Sequence, residues 1–274
     1  MDLWRFQRGD TPVLLSMPHC GTFVPPDLAA RLTDGAAGLP DTDWHLDRLY
    51  NFAPALGAGF LVPTHSRYVV DLNRDPDGGS VYDDVIHTGV VPVQDFDGQP
   101  LYRDGAAPDA AEMAARVAAY WRPYHAKLRD ELQALRARHG VAVLFEAHSI
   151  RSRLPRLFQG RLPDFCLGTA DGTTADKGLT GRLLNVLRAD DAASSELNGR
   201  FKGGYSTRLY GRPRDGIHAV QLEIGRHLYM DEEAPYRFRT DKAAETRPVI
   251  ELLVRTLIDW AMAESSRRRS RAAE

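Results

Sequence analysis

Apolar residues along this chain fall into short runs separated by stretches of helical spacing, and that alternation predicts a layered α/β fold. Val13 to Met17 is an apolar run closed by Pro18 and reads as a buried strand. Gly21, Pro25 and Pro26 mark a loop. Leu46, Leu49, Tyr50, Ala53 and Leu56 then recur at helical spacing, with Asp41, Thr42 or Asp43 as the cap and Gly57 and Gly59 as the stop. Phe60 to Val62 and Tyr68 to Leu72 read as two further strands. Residues 75–107 are rich in Gly, Pro and Asp and show little periodicity, which predicts a mobile or functional loop. A long helix over 110–138 follows, opened by Pro108-Asp109, stopped by Gly140 and kinked or split at Pro123. Val141 to Phe145, Phe165 to Leu167 and Val220 to Ile224 read as strands, and Leu179 to Leu187 as a helix. The closing helix spans 243–263, with an apolar face at Val249, Leu252, Leu253, Leu257 and Trp260.

Short uniform strands alternating with helices argue for three layers, a mostly parallel sheet flanked by helices. No internal repeat or boundary divides residues 1–274, so a single catalytic domain is expected. In such sheets a ligand lies outside the carboxyl ends of the strands. His19, Asn73-Arg74 and His148 all fall just past a strand's last apolar residue, and this shared placement makes them a candidate site.

Composition narrows the partners. Hydrophobic content of 43% and charged content of 26% are those of an ordinary globular protein, and a net charge of -2 gives no field favouring nucleic acid or membranes. A small-molecule substrate is expected, with protein partners left open. The run Arg267-Arg268-Arg269-Ser270-Arg271 reads as a frayed, solvated tail over 265–274. Cys20 and Cys166 form no disulfide framework and fit a reducing compartment. The N-terminus lacks the pattern of a secretory signal, and no apolar run is long enough to cross a bilayer. The expected location is the cytoplasm.

A single His after a strand is usually structural. Two at strand ends that a sheet brings together supply neutral imidazoles, the commonest protein ligands of zinc, and a catalytic site of that type adds one carboxylate and leaves a position for water. Asp43, Asp41, Asp47 and Glu146 are the carboxylate candidates. Asp43 serves equally as helix cap or ligand, and His45 competes for the same ion. Glu223 sits among apolar residues in Val220-Gln221-Leu222-Glu223-Ile224. A buried carboxylate there has a raised pKa and takes a proton from water near neutral pH, whereas on a half-exposed strand it merely faces solvent beside Gln221. Arg74 beside Asn73 offers a planar fork for a carboxylate, with Asp71 to orient it or cap the strand. Arg67 and Arg208 are further anchors. Lys202-Gly203-Gly204-Tyr205 reads as a glycine turn entering a strand, its glycines allowing positive φ or close approach to a ligand. No G-x-S-x-G, H-E-x-x-H, C-x-x-C or G-x-G-x-x-G motif occurs.

Pro18-His19-Cys20-Gly21, Thr42-Asp43-Trp44-His45-Leu46-Asp47-Arg48, Ser66-Arg67-Tyr68 through Asp71-Leu72-Asn73-Arg74, Ala147-His148-Ser149, Phe201-Lys202-Gly203-Gly204-Tyr205 and Gln221-Leu222-Glu223 together resemble the N-formylglutamate amidohydrolases. The resemblance runs from about residue 14 to 230. It implies hydrolysis of N-formyl-L-glutamate to formate and L-glutamate, the last step of one branch of histidine breakdown. It also implies a phosphorylase/hydrolase-like fold similar to zinc carboxypeptidases and aspartoacylase-type deacylases. One divalent metal, zinc by expectation, is then held by His19, Asp43 and His148. Glu223 is the catalytic base, and Arg67, Asn73, Arg74, Tyr205 and Arg208 bind substrate. The zinc carboxypeptidases carry a Glu three residues after the first His, where this chain has Thr22, so Asp43 is the substitute ligand. The rival readings are a metallo-deacylase or carboxypeptidase for another N-acyl acidic amino acid, a metal-free amidase using Cys20, and a non-catalytic binder of acidic amino acids.

Overall fold

The computed structural model describes residues 1–79, 88–189 and 193–273. In chain order the first elements are β1 (Trp4–Gln7), β2 (Val13–Ser16), the short helices α1 (Pro26–Ala29), α2 (Asp34–Ala37) and α3 (Leu46–Leu49), and β3 (Gly59–Pro63). Then come α4 (Ala110–Arg116), α5 (Arg122–His139), β4 (Ala142–Ile150), β5 (Phe165–Gly168), α6 (Lys177–Arg188), β6 (Ser195–Leu197), α7 (Tyr205–Tyr210), β7 (Ile217–Gly225) and α8 (Thr240–Ala273). Among the described residues the strands form one seven-stranded sheet in the order β1-β3-β2-β4-β7-β5-β6. β3, β2, β4 and β7 run parallel, as do β5 and β6; β1 pairs antiparallel with β3, and β5 with β7. The expected α/β architecture is therefore present, as a mixed sheet that is mostly parallel.

Alternate residues of the central strands build the two cores. On one face Leu15, Phe145, Leu222 and Ile224 pack with Leu46, Leu183, Leu253 and Leu257 of the α3, α6 and α8 layer. On the other, Leu14, Ala142, Leu144 and Ala219 pack under Tyr124, Leu128, Leu132 and Leu135 of α5. β4 and β7 are buried along their whole length, as parallel strands covered on both sides must be.

The structure departs from several of these expectations and meets others. Tyr68–Leu72 is a pair of turns, because the Ser66 hydroxyl accepts from the Tyr68 N–H (3.2 Å) and the Asp71 carboxylate from the Asn73 N–H (2.9 Å), drawing the backbone out of a ladder. The helix after Asp43 breaks after one turn, and a 3-10 turn containing Pro54 replaces its second half. The long helix is split near Pro123 as expected, by a π-helical segment at Val117–Trp121 that ends two residues before the proline, whose ring cannot share the preceding turn of a regular helix. The basic run expected as a tail is helical: α8 runs to Ala273, with Glu264 paired to Arg267 (2.9 Å) and Arg268 (2.7 Å) one turn on. On α8, Leu252 points outward at 49% exposure rather than into the core. The mobile loop expected at 75–107 lies outside the described residues at 80–87; beyond it Val91, Phe96, Leu101 and Tyr102 are buried. No helix of the described residues is long and apolar enough to cross a membrane.

Candidate active site

The sheet face beneath α5 changes character toward its carboxyl end. Along β4 the series Ala142, Leu144 continues as Glu146, His148, and along β7 Ala219 continues as Gln221, Glu223. His148 and Glu223 are direct cross-strand partners. His148 lies within β4, two residues before its end, rather than beyond the strand. β2 stops at Ser16, and Met17-Pro18 carry His19 to the same end of the sheet. The His19 carbonyl accepts from the Asp43 N–H (3.0 Å), which ties the Asp43 loop to the strand end.

His19, Asp43 and His148 present ligand atoms that all lie within 4.8 Å of one another, and all three residues are buried. Asp43 Oδ2 is 3.8 Å from His19 Nδ1 and 3.3 Å from His148 Nδ1, yet it is aligned for a hydrogen bond with neither. A buried carboxylate oxygen without a hydrogen bond needs a cation beside it, a place that a protonated His148 or a metal ion fills. Two imidazole nitrogens and one such oxygen suit a divalent metal of the zinc class. Asp43 is thus the carboxylate that joins the two imidazoles. Asp41 instead accepts from the Phe96 N–H (2.9 Å), and Asp47 pairs with Arg5. His45, the rival imidazole, faces the Tyr236 carbonyl (2.7 Å) and stays out of the cluster.

The two imidazoles are shifted in opposite directions. Burial, with the Arg67 guanidinium alongside, lowers His19 to about 4 in spite of Asp71. Neutral His19 donates from Nε2 to Asp71 Oδ1 (2.8 Å), which turns its Nδ1 lone pair toward Asp43; Arg67 Nη1 donates to that Nδ1 at 3.3 Å. This is the carboxylate–imidazole pairing that fixes the tautomer of a metal-ligating histidine. Burial alone would lower His148 too, but the carboxylates of Asp43, Glu146 and Glu223 raise it to about 10. Burial opposes ionisation of Asp43, but His148, His19 and Arg226 hold its pKa below the usual range. Burial, with Asp43 nearby, raises Glu223 to about 7 against the pull of His148.

These groups form the floor of a cleft of about 180 Å³ that is also lined by Arg67, Asn73, Arg74, Gln221 and Gly204. Asn73 is held through its Oδ1, which accepts from the Ser206 N–H (2.9 Å); its Nδ2, 3.2 Å from His148 Nε2, donates there when His148 is neutral, as a metal ligand must be. Gly204 is required at its place, because a Cβ there would stand 2.3 Å from Asn73 Nδ2. The glycine segment therefore does bring backbone close to the site, although it opens α7 rather than a strand.

Other assignments change. Asp71 does not orient Arg74 by a direct bond; it binds His19, and its second oxygen accepts from Arg67 Nη2 (2.5 Å). Tyr205 and Arg208 do not line the cleft. The Tyr205 ring packs against Trp121 and His125, and Arg208 Nε donates to the Gly203 carbonyl (3.0 Å). Cys20 is also outside the cleft wall, and burial beside Asp43 pushes its thiol pKa up, the reverse of what a nucleophile needs. Two groups escaped the sequence reading. Arg226, fully buried just past β7, donates to the Pro40 carbonyl (2.6 Å) and brings Nη2 to 3.9 Å from Asp43 Oδ1. Its one signal is a cation directly after the Glu223 strand. Glu146, considered only as a ligand, stands behind His148 with Oε2 3.7 Å from Nε2.

Residues 11–230 match the family described as N-formylglutamate amidohydrolase. An N-formylglutamate deformylase of Pseudomonas aeruginosa is 51% identical over 255 residues, 93% of this chain and 96% of its own length. Another, from Pseudomonas putida, is 45% identical over 93% of this chain and 95% of its own length. The structure of an N-formylglutamate amidohydrolase from Ralstonia eutropha superimposes with a TM-score of 0.77 at 26% identity, over 96% of this chain and 100% of that one.

Proposed function

The chain belongs to the N-formylglutamate amidohydrolase family and is a hydrolase of linear amide bonds; from that premise we propose that it cleaves N-formyl-L-glutamate to formate and L-glutamate. The reading takes His19, Asp43 and His148 as ligands of one divalent metal, zinc by the character of the donors. The observation that carries it is the meeting of that ligand set, Glu223 and the Asn73-Arg74 pair in a single cleft. A divalent ion held there supplies a Lewis acid and makes water easier to deprotonate.

The chain's own residues do the rest. Arg74, with the amide of Asn73, holds the substrate's α-carboxylate. Arg67, already anchored by Asp71, keeps a positive charge beside His19, where it offsets charge developing on the formyl oxygen. Glu223, with a pKa near 7, accepts the proton of the attacking water. Oxygen adds to the formyl carbon, and the C–N bond breaks as Glu223 passes that proton to the departing nitrogen. Formate and the free amino group of glutamate result. We extend the proposal to a cytoplasmic role in histidine breakdown, on the strength of the family resemblance and the chain's composition.

The test is a substrate panel. Formyl, acetyl and iminoformyl derivatives of glutamate and aspartate are offered to the purified protein, and acid release is measured. The proposal expects formyl-glutamate to give the highest kcat/KM; faster cleavage of an acetyl or iminoformyl substrate would replace it with another N-acyl specificity.

A further inference from the structure

We propose that Arg156 binds the side-chain carboxylate of the substrate and sets the preference for an acidic amino acid, an inference that rests on the deformylase reading above. A substrate with two carboxylates needs a cation besides Arg74. Arg208 is outside the cleft, and Arg67 is committed to Asp71. Arg200 also lines the wall, but its Nε donates to the Leu157 carbonyl (2.9 Å), its guanidinium lies over Phe201, and it is engaged further besides. Arg156 differs from all of these. It lines the same cleft as Arg74, Asn73 and Glu223, and its two hydrogen-bond partners are neutral: the Asp95 carbonyl (3.2 Å) and Gln94 Oε1 (3.0 Å).

The guanidinium is therefore held at the cleft wall by neutral partners, with its charge not cancelled there. A fork with five donors keeps N–H groups to offer after two such bonds. Gly98, at φ +84°, lets it lie flat on the loop, since a Cβ there would stand 2.9 Å from Arg156 Cζ. Phe96, Val93, Ile150 and Leu157 supply an apolar wall in the same cleft, suited to the methylenes between two carboxylates. A site that pairs a cation with a carboxylate disfavours a neutral isostere, because a bound substrate covers the half-exposed Arg156 without giving it a counter-charge.

The experiment compares kcat/KM for formate release from N-formyl-L-glutamate and from its isostere N-formyl-L-glutamine, using the metal-loaded enzyme, Arg156→Gln and Gly98→Ala. The parent is expected to prefer glutamate. Arg156→Gln should cut the glutamate-to-glutamine ratio by about tenfold or more, and Gly98→Ala, which displaces the fork without removing it, should lower it by less. A ratio in Arg156→Gln within about threefold of the parent's, under half of the ~1.4 kcal/mol that a tenfold change represents, overturns the inference, as does a parent with no preference. If the parent releases formate from neither substrate, the deformylase reading itself fails and the inference falls with it.

Discussion

Asp71→Asn removes one negative charge and little volume from the most densely bonded carboxylate in the site. Asp71 is fully buried and accepts from His19 Nε2 (2.8 Å), the Asn73 N–H (2.9 Å) and Arg67 Nη2 (2.5 Å). An amide keeps one acceptor and turns an N–H₂ toward one of these donors. The buried Arg67 cation is left with the Asp41 carbonyl (3.4 Å) and His19 Nδ1 as neutral partners. Removing one member of a buried ion pair costs about 3–5 kcal/mol, a large part of the ~5–15 kcal/mol that holds a typical domain together. At roughly 2–4 °C per kcal/mol for a chain of this size, the melting temperature should fall by about 6–20 °C. Metal affinity should fall about 10–100-fold, because His19 loses the partner that fixes its tautomer. The Asp71 pKa lies well below the usual range, despite burial, through Arg67 and His19. Its stabilisation is therefore present above the unfolded carboxylate pKa and lost only as pH falls through the depressed folded value. The deficit of the variant should thus be constant from pH 6 to 8. Thermal unfolding followed by circular dichroism on chelated protein, with competition binding of zinc alongside, checks both parts. A melting temperature within about 2 °C of the parent, with unchanged affinity, would refute the reasoning.

Glu223→Gln should lower kcat by about 10²–10⁴-fold with metal content unchanged, which steady-state kinetics and elemental analysis together report. The free enzyme's kcat/KM should decline as pH drops below about 7, where the Glu223 carboxylate gains a proton and can no longer act as a base; a cation beside it moves that limb lower, not higher. Gly204→Ala should push Asn73 aside and raise KM about tenfold or more, visible in the KM-against-kcat split. At pH 8.5 metal uptake should release at least one proton per ion, because His148 (about 10) must give up its proton, ionisation of a metal-held water adds to that number, and His19 (about 4) is already neutral. Calorimetry in two buffers of different ionisation enthalpy measures that number, and a value near zero would contradict the assigned charge states.

How far the site was readable depends on what placed each residue. His19, His148 and Glu223 stand at the polar ends of short apolar runs, and a parallel sheet brings such ends together. Asp43 was visible only as one of several acids near a helix start, since nothing local shows that its loop is tied back to His19. The Asp71 role was misread because its partner lies 52 residues earlier, while Arg74 is three residues away. Tyr205 and Arg208, substrate binders by the family resemblance, stand on the helix that the glycine turn opens, where their side chains face α5 and the helix's own backbone. Arg226 and Arg156 had no periodic or motif signal, because tertiary packing alone carries them to the cleft and its second layer. Tyr68–Leu72 shows the limit of apolar runs as strand signals, since two side chains bonding to their own backbone were enough to turn it.

Formate release from N-formyl-L-glutamate by chelator-stripped protein, titrated with zinc, is the most direct test of the metal-dependent hydrolysis. The account predicts no release at the outset and a rise that levels off at one ion per chain. Full turnover before any metal is added would contradict it.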